Sequence, residues 1–494
     1  MFYVSTRGGG EPITSTKAVL NGIAPDGGLY MPRGVGAFDW KALLDLSTQE
    51  MSEKILSWFL PDFPDMAGIV HRAYHGKFDT EELTPVVPVG DKYVLELFHG
   101  PTSAFKDVAL SVLPQLITSA RGVENVREEI VILTATSGDT GKVALEGFHD
   151  VPGTSIIVFY PDGGVSAVQK AQMVTQEGAN VRVCAVRGNF DDAQTGVKEI
   201  FAAASADPAV TGDGAMLSSA NSINIGRLAP QVVYYFKAYA ELCKNGVIHV
   251  GDLVDYTVPT GNFGDILAGY LAKTMGLPVG TLICASNANR VLTDFLRTGR
   301  YDRMRPFYKT ESPSMDILVS SNLERLLYLA SGEDTALVSD LMAQLREKGS
   351  YDIPETLLKT LQKDFWAGCA DDAMTDRTIG DVWKTHNYLC DTHTAVAWNV
   401  AEQYAKEVGS DRPNVVLSTA SAYKFPAAVV RALGETPDEN EFAVMEQLRK
   451  MTGTEIPKNL ADIGSRTVRH RDVEDKTAML EYVQNAIKER MQKE

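Results

Sequence analysis

The chain has 494 residues, 44% of them hydrophobic and 22% charged, and its 47 basic and 64 acidic side chains give a formal net charge of −17. This composition supplies a large apolar core and excludes collagen-like, low-complexity and globally disordered proteins. The negative charge argues against nucleic acid or an anionic membrane surface as the main partner. It leaves room for a small anionic substrate, because local cations decide such binding. The length predicts two to four domains or lobes.

The sequence shows no pattern typical of a metal site, a disulfide framework or a targeting segment. The five cysteines are widely spaced without a C-x-x-C pair, and the eight histidines form no H-E-x-x-H pattern. The first residues, Met1–Arg7, lack the basic and apolar regions of a signal peptide. No apolar run reaches the roughly 18 residues that a membrane span needs. We therefore expect a cytoplasmic protein without a resident metal.

In chain order, residues 1–90 come first, and their helical periods around Trp40–Leu46 and Glu50–Phe59 predict an N-terminal helical domain. From about residue 92, short apolar runs alternate with polar or Gly-rich turns and helical periods. Seven runs are typical of strands buried on both faces: Tyr93–Phe98, Ile130–Ala135, Ser155–Tyr160, Val181–Val186, Tyr256–Pro259, Thr281–Ala285 and Val415–Thr419. Amphipathic helical stretches between some of them are Asp107–Ile117, Ala167–Gln176 and Asp191–Ala204.

This alternation predicts an α/β fold of βαβ units, with mainly parallel sheet covered by helices. Ligands of such sheets bind in the loops at the carboxyl ends of the strands. Pro354–Thr385 and the tail from Pro437 are charged and helical in period. The tail has one apolar face, formed by Met479, Tyr482, Val483 and Ile487, which predicts a helix packed on its own domain. We divide the chain into residues 1–90, a catalytic α/β region 91–430 and a helical C-terminal segment 431–494.

The first loop that carries chemistry is Phe98–Asp107, which follows a strand and places Lys106 in the first turn of a helix. A cation is unfavourable there, because the N-terminal end of a helix is positive. Positive potential and burial lower the pKa of a lysine, and a neutral amine forms Schiff bases. A solvated surface lysine is the ordinary alternative. The flanking His99 and Phe105 favour the chemical role but do not decide it.

The second loop is Thr134–Lys142, again between a strand and a helix. Its small hydroxyl residues and two glycines leave backbone N–H groups free at a helix N-terminus, which is the pattern of an anion cradle. It is not a nucleotide P-loop, because Thr136 and Val143 stand where that motif requires glycine and Ser or Thr. A capped strand-to-helix turn is the alternative.

The third loop is Pro259–Asp265, followed by another helical stretch. Gly261 and Gly264 permit close backbone approach to a ligand, and the helix N-terminus favours a phosphate. The G-x-G-x-x-G pattern of a Rossmann dinucleotide site is missing, and a plain glycine turn is the alternative. Two anion cradles and one candidate amine, each following a strand, indicate a chemical site more strongly together than any does alone.

With these residues the chain resembles the threonine synthases of the branch with a long N-terminal domain, within the fold type II pyridoxal-phosphate enzymes. The resemblance covers nearly the whole chain. The matching segments include Tyr3–Arg7, Pro25–Tyr30, Asn221–Arg227, Ser314–Ile317, Ser321–Arg325, Asp391–Ala395 and Ser418–Phe425. The resemblance implies two mostly parallel, twisted-sheet lobes flanked by helices, a helical N-terminal domain, and pyridoxal 5′-phosphate as cofactor.

By this resemblance Lys106 is the catalytic lysine that holds the cofactor as a Schiff base, next to Phe105. Asp139 is expected beside the cofactor 3′-hydroxyl. The hydroxyl of Thr419 is expected to face the pyridine nitrogen, where a carboxylate would instead keep that nitrogen protonated. The loop expected to wrap the cofactor phosphate consists of Gly261, Asn262, Phe263, Gly264 and Asp265.

The resemblance also implies substrate-binding positions. Ser137, Gly138 and Thr140 are expected to cradle the substrate carboxylate. Asn221, Ser222 and Arg227 are expected to hold a substrate phosphate, and the geometry of an arginine fork supports that role independently.

Three further side chains keep open alternatives. Lys142 and Arg325 are either additional phosphate-binding groups or surface cations, and His99 is either an acid–base group or a structural histidine. The chain departs from many family members at Ser421 and Ala422, which replace a His-Pro pair.

The implied reaction converts O-phospho-L-homoserine and water to L-threonine and phosphate. The freed Lys106 takes the α proton, loss of a β proton permits expulsion of phosphate from Cγ, and water adds at Cβ. The implied partner is this small molecule, not nucleic acid or a membrane, and the protein is expected to be a monomer or homodimer. One alternative is another fold type II lyase or synthase, such as a threonine dehydratase or cysteine synthase relative, which would not need Arg227. The other is a non-catalytic anion-binding protein, against which Lys106 speaks.

Overall fold

The structure, a computed structural model, describes residues 1–136, 138–163, 165–207, 210–212 and 214–492. Within them the strands are β1 (Tyr3–Ser5), β2 (Tyr30–Pro32), β3 (Val86–Val89), β4 (Lys92–Glu96), β5 (Glu129–Ala135), β6 (Thr154–Pro161), β7 (Val181–Arg187), β8 (Ala215–Ser218), β9 (Val254–Pro259), β10 (Val279–Ser286), β11 (Arg300–Asp302), β12 (Ser350–Asp352), β13 (Phe365–Cys369), β14 (Asn414–Ser418) and β15 (Asp472–Asp475).

The α-helices of the same residues are α1 (Ser15–Asn21), α2 (Thr48–Phe59), α3 (Met66–Tyr74), α4 (Lys106–Leu110), α5 (Leu113–Val123), α6 (Asp139–Phe148), α7 (Ala167–Val174), α8 (Phe190–Ala206), α9 (Ile225–Lys244), α10 (Gly264–Thr274), α11 (Val291–Thr298), α12 (Leu323–Ala330), α13 (Thr335–Lys348), α14 (Glu355–Asp364), α15 (Asp372–His386), α16 (Thr392–Val408), α17 (Pro426–Ala432), α18 (Glu441–Thr452) and α19 (Met479–Met491). Short 3-10 turns lie at Trp40–Leu43, Pro313–Met315, Ala422–Lys424, Ile463–Ser465 and Lys476–Ala478.

The larger sheet has the strand order β13-β10-β9-β14-β4-β3, and its pairs are parallel except for the antiparallel β3 at the edge. Its central strand β9 is buried along its whole length, as expected for a parallel strand covered by helices on both faces. Because β9, β14 and β4 are neighbours and parallel, the loops that follow them all emerge at the same edge of the sheet.

The smaller sheet has the order β15-β7-β6-β5-β8, with parallel pairs. Alternate residues of β5 enter two different apolar clusters. Ile130 and Ile132 belong to the large core that includes α5 and α6. Val131 and Leu133 pack with residues of α8 and α19. The period of two therefore places helices on both faces of this sheet, and the loop after β5 carries the second predicted anion cradle.

The N-terminal region packs onto the rest of the chain through helices. Helix α2 begins with a capping box, in which Ser47 and Glu50 satisfy each other's backbone N–H groups. Its apolar face contacts α9, whose residues are buried from Ile225 through Ala240. A helix apolar on all sides is typical of the centre of a large protein. Helix α9 also contacts α4 and α10, the helices that follow the first and third predicted loops.

The seven predicted strands are confirmed as β4, β5, β6, β7, β9, β10 and β14, and the fold class is α/β. The helical reading of Pro354–Thr385 is wrong for residues 365–369, which form β13 beside β10. The tail helix α19 packs against α8, as its apolar face predicted. The divisions at residues 90 and 431 stay predictions; two short strands outside them, β3 and β15, extend the sheets of the middle region.

Among the described helices, none combines the length and apolar character that crossing a lipid bilayer requires. All five cysteines are free thiols.

Candidate active site

The loops after β4 and β14 lie side by side and are joined through their backbones. The N–H of Phe105 donates to the carbonyl of Thr419 (2.9 Å), and the N–H of Ser421 donates to the carbonyl of Ser103 (3.1 Å). Ala104 and Ala420 form an isolated antiparallel bridge between them. This clamp fixes the turn that presents Lys106 against the loop that carries Thr419, which is buried. Two predicted cofactor positions are therefore brought together.

Lys106 is the first residue of α4, as its position in the sequence predicts. Its Nζ lies 4.9 Å from the centre of the Phe105 ring and 3.5 Å from Oγ of Ser314. Burial lowers the pKa of Lys106 to about 8; Asp139 opposes this change, and the charge of Lys424 adds to it. Arg227 lowers the same pKa further, and Asp107 raises it. A substantial fraction of this amine is therefore neutral near physiological pH, as a nucleophilic lysine requires.

The turn between β5 and α6 is organised by the hydroxyl of Thr136. This oxygen accepts from the N–H groups of Gly138 and Gly141, both at 3.0 Å. Gly138 has a φ of 150°, and a Cβ there would overlap the side-chain amide of Gln169. Glycine is required for both reasons. Gly138 is buried and Thr140 half-buried at the start of α6, whereas Ser137 lies outside the described residues.

Asp139 begins α6 and is held by two side chains from distant parts of the chain. Its Oδ1 receives Nζ of Lys424 at 2.9 Å and Nε2 of Gln169 at 3.3 Å. Burial alone would raise the pKa of Asp139, but the charges of Lys424 and Lys106 hold it well below its usual range. The carboxylate is therefore ionised and lies close enough to Lys106 to affect its charge. Lys424 belongs to the matching segment Ser418–Phe425, but its sequence position did not indicate a role.

The loop after β9 turns sharply before α10 begins. Phe263 is buried in the left-handed conformation with φ 64°, and it precedes the first helical residue, Gly264. The carbonyl of Asn262 accepts from the backbone N–H and from Nδ2 of Asn322, both at 3.0 Å. A Cβ at Gly261 would lie 2.6 Å from the carbonyl of Ser314, so this backbone passes directly against the segment that contacts Lys106. The free N–H groups of the first turn of α10 make this loop an anion cradle.

The Asp265 carboxyl lies behind this cradle, in a buried pocket between α9 and α10. Its Oδ1 accepts from the hydroxyls of Tyr234 (2.5 Å) and Tyr235 (3.1 Å), while its Oδ2 is buried without a hydrogen-bond partner among the described residues. Burial raises the pKa of Asp265 to about 7, against the opposing effects of the two tyrosines and of Lys106. Below this pH the free oxygen carries a proton and can donate it; above it, the carboxylate would repel an anion in the cradle.

Arg227 is a buried cation with no acidic partner and an unpartnered Nε among the described residues. It is buried, one Nη donates to the carbonyl of Ala220 (2.6 Å), and its Nε has no partner among the described residues. Burial lowers its pKa to about 10, with no carboxylate contributing. A buried guanidinium with a free N–H is unfavourable unless an anion completes it. Ser222 receives Nδ2 of Asn322 at 3.3 Å, so it is linked to the cofactor-phosphate loop, and Asn221 is exposed.

Lys142 and Arg325 are both buried, so neither is a surface cation. Lys142 is buried and pairs with Glu146 at 2.8 Å on its own helix. Arg325 is fully buried, so it is not a surface cation, and it donates to the carbonyls of Tyr30 and Ile223 and to Oδ1 of Asn322. Arg325 therefore joins the N-terminal region to the two loops of the site.

His99 bridges two carboxylates. Its ring nitrogens lie 2.7 Å from Asp79 and 2.8 Å from Glu96. Burial opposes the charged form, but the bond to Glu96 and the charge of Asp79 outweigh it and raise the pKa of His99. We interpret it as a structural histidine that fixes the start of the Lys106 loop.

A chain of hydrogen bonds that the sequence reasoning missed supports Lys106 from the side of α16. Asp391 caps α16, and its Oδ2 lies 2.7 Å from Nδ1 of His393. Nε2 of His393 accepts the backbone N–H of Ser314 at 3.2 Å, and Ser314 in turn contacts Lys106. The family resemblance already included the segments that carry Ser314 and His393. Nothing in the sequence indicated that these two residues, 79 positions apart, are in contact.

These residues fit pyridoxal phosphate. The half-buried Lys106, with its lowered pKa, lies beside a helix N-terminus whose backbone can hold a phosphate, and an ionised Asp139 and a buried Thr419 border the same space. Arg227 is not part of this set, and its unpartnered, buried Nε could hold a second anion. Within the described ranges, no group of three or more His, Cys, Asp or Glu side chains is placed to hold a metal ion.

The pKa of Asp265 makes the phosphate cradle pH-dependent. Between about pH 6 and about pH 7.5 we expect pyridoxine 5′-phosphate, which cannot react with lysine, to bind the apo-protein up to about fourfold more weakly as Asp265 ionises. Asp265→Asn keeps the shape and a donor but cannot ionise, so its affinity should change much less over this range. Equilibrium dialysis of both proteins at several pH values makes the comparison, and the ratio of their affinities cancels the titration of the ligand itself. Parallel pH profiles would contradict the assignment.

Comparisons with known proteins agree with this geometry. The family descriptions "Threonine synthase N terminus" and "Threonine synthase, C-terminal" match residues 2–74 and 394–487. The chain is 40% identical over 434 residues to threonine synthase-like 1 of Macaca fascicularis, with 85% of this chain covered. It spans only 58% of the length of that relative.

Two other relatives match along almost their whole length. The threonine synthase of Pseudomonas aeruginosa is 37% identical over 478 residues, covering 95% of this chain and 98% of the relative. The crystal structure of PLP-bound threonine synthase from Brucella melitensis superposes with a TM-score of 0.87 at 38% identity, covering 98% of this chain and 99% of that one. The clamped lysine, the phosphate loop and the near-complete coverage lead to one conclusion: this chain belongs to the threonine synthase family, whose fold is that of the type II pyridoxal-phosphate enzymes.

Proposed function

We propose that this protein is a threonine synthase, a pyridoxal-phosphate-dependent lyase that converts O-phospho-L-homoserine and water to L-threonine and phosphate. The observation that carries the proposal is Arg227, a buried guanidinium with a free Nε and no carboxylate partner among the described residues. Its charge acts on Lys106, so it lies near the reactive amine. A second anion position beside a cofactor-phosphate loop is what a phosphorylated amino acid requires, and a substrate without a phosphate leaves this cation unpaired.

In this proposal Lys106 both holds the cofactor and moves protons. The fraction of neutral amine that its lowered pKa provides can accept a proton from the α carbon of the substrate. The contact of Nζ with Ser314, itself held by His393, keeps the amine on one side of the site. Pyridoxal phosphate, when bound, supplies a conjugated ring that takes up the electron pair left by that proton.

The rest of the site binds and orients the substrate. The N-terminal turn of α6, organised by Thr136, offers backbone N–H groups of the Gly138–Thr140 region to the substrate carboxylate. Arg227 holds the phosphate group, with Ser222 and Asn221 on the same segment. Because Asn322 bonds both Ser222 and Asn262, the substrate-phosphate segment and the cofactor-phosphate loop keep a fixed separation. Fixed separation of two anion sites selects a substrate of one length.

The experiment that tests this function follows both products at once. Purified protein with pyridoxal phosphate and O-phospho-L-homoserine is expected to release inorganic phosphate and threonine in equal amounts. Phosphate without threonine would instead indicate elimination to a keto acid, the reaction of a dehydratase-like relative. Release of neither product, from protein shown to bind the cofactor, would contradict the proposal. L-homoserine without its phosphate serves as the control substrate and should give no threonine.

We further propose a cytoplasmic enzyme, monomeric or homodimeric, with three regions at 1–90, 91–430 and 431–494. The free state of all five thiols supports a reducing compartment. Small-molecule substrate and cofactor are the partners that the proposal requires. Sedimentation equilibrium of the full chain decides between monomer and homodimer.

A further inference from the structure

Lys424 is a second buried lysine in the active site, and neither the predicted roles nor the proposed function use it. It ends the 3-10 turn that follows β14, and only 3% of its surface is exposed. Its Nζ donates to Oδ1 of Asp139 at 2.9 Å and to the carbonyl of Thr102 at 3.2 Å. A buried ammonium persists only where such partners compensate for the lost water. The surroundings of Lys424 therefore stabilise its charged form.

The two contacts of Lys424 join two different parts of the site. Asp139 begins α6, which packs on the smaller sheet. Thr102 belongs to the turn that presents Lys106, and its N–H and hydroxyl donate to the Asp107 carboxylate at 2.9 Å and 2.7 Å. One amine thus links the anion cradle to the turn that carries the reactive lysine, so the position of Asp139 relative to Lys106 depends on Lys424.

The charged groups around Lys106 and Asp139 show how Lys424 affects the protonation of Lys106. The charged groups that act on Lys106 come from four other positions and its own helix: Asp139, Lys424, Arg227, Asp265 and Asp107. Asp139 in turn faces Lys424, Lys106 and His393. Without Lys424, the ionised Asp139 would have Lys106 as its nearest ammonium partner. An ion pair with Asp139 would keep Lys106 protonated and unreactive.

We propose that Lys424 is a positioning residue of this active site: it binds the Asp139 carboxylate, so that this carboxylate does not pair with the amine of Lys106. The inference rests on the proposed role of Lys106 as the amine that holds the cofactor. Lys424 acts through Asp139 and through the electrostatic repulsion between two ammonium groups. Both effects favour the neutral form of Lys106, so they have the same sign.

The test is a pH titration of the holo-protein without substrate, in which the visible absorbance of the bound cofactor reports the proton on the Lys106 nitrogen that joins it to the cofactor. Lys424→Met removes the charge and keeps a long side chain. We expect the midpoint of the absorbance change to move upward by about one pH unit or more, because Asp139 then stabilises the protonated form. Lys424→Arg keeps the charge and should leave the midpoint within about 0.3 units of wild type.

A matched control separates this effect from simple loss of a buried lysine. Lys142 is also buried and lies on α6, the helix that Asp139 begins, but its ammonium pairs with Glu146 and Gln176 and not with Asp139. Lys142→Met should lower the thermal midpoint without moving the titration. If Lys424→Met destabilises the protein and leaves the titration midpoint unchanged, Lys424 is structural only and the proposal is wrong.

A double variant tests the route through Asp139. In an Asp139→Asn background, Lys424→Met should shift the midpoint by about half or less of its effect in wild type, because no carboxylate is released. An undiminished shift would overturn the inference. If Lys424→Met does not fold, Lys424→Gln, which is neutral and can still donate towards Thr102, gives the same comparison. Because no substrate is present, the result is independent of turnover of O-phospho-L-homoserine.

Discussion

Replacing Lys106 with alanine is expected to remove both the activity and the visible absorbance that follows from covalent attachment of the cofactor. Turnover should fall by at least about a thousand-fold, because one amine acts as attachment point and as proton acceptor. The amine of the half-buried Lys106 has a pKa lowered to about 8 and contacts Ser314 and the ring of Phe105. Absorbance spectra and the joint phosphate and threonine assay measure the two losses on the same sample.

The control for this experiment is Lys142→Ala, which removes a buried lysine that pairs with Glu146 and should keep the absorbance. The alternative attachment point for the cofactor is Lys424, because its amine also lies next to Asp139. Borohydride reduction followed by peptide mapping locates the modified lysine in the wild-type protein. Cofactor found on Lys424, or full absorbance in Lys106→Ala, would contradict the assignment of Lys106.

Removal of the Arg227 guanidinium is expected to have the second-largest effect. Arg227→Ala should lower kcat/KM for O-phospho-L-homoserine by about 100-fold or more, because a charged partner is lost from a buried site. The free Nε and the absence of an acidic partner among the described residues are the grounds for this expectation. Arg227→Lys keeps the charge but loses the fork, so an intermediate loss is expected. Steady-state kinetics over a range of substrate concentrations makes the measurement.

A phosphate-free ligand shows whether the Arg227 effect is specific. L-threonine has no phosphate, so its dissociation constant, read from the change in cofactor absorbance, should differ by less than about threefold between Arg227→Ala and wild type. A general collapse of the site would weaken threonine as well. If Arg227→Ala instead turns over the phosphorylated substrate normally, the second anion position lies elsewhere.

The strands that the sequence predicted are those whose burial produces a recognisable apolar pattern in neighbouring residues. Strands covered by helices on both faces are continuous apolar runs, and all seven such runs are strands. The residues 365–369 were missed because Phe-Trp-Ala-Gly-Cys is short and lies within charged helical sequence. This segment forms a strand because it pairs with the edge of β10, about 80 residues earlier in the chain. Such pairing depends on tertiary context, not on propensity.

The positions of the chemical loops were also predicted, for a related reason. Each lies between a buried strand and a helix, and parallel strands place their carboxyl ends together. In the structure the loops that carry Lys106 and Thr419 lie next to each other and are joined by backbone hydrogen bonds. It adds Ser314, His393 and Lys424, whose partners come from segments tens to hundreds of residues away.

The sequence by itself determined the α/β fold class, the three loops and the residue types in them, because strand burial, glycine turns and helix N-termini are local properties. Only the tertiary structure decided which charges are paired. Arg227, Arg325 and Lys142 are all cationic residues in the sequence, and all three are buried. Arg325 is saturated by Tyr30, Ile223 and Asn322, and Lys142 by Glu146, whereas Arg227 keeps a free Nε. An anion binds where a buried cation lacks a partner, and that partner is set by residues distant in the chain.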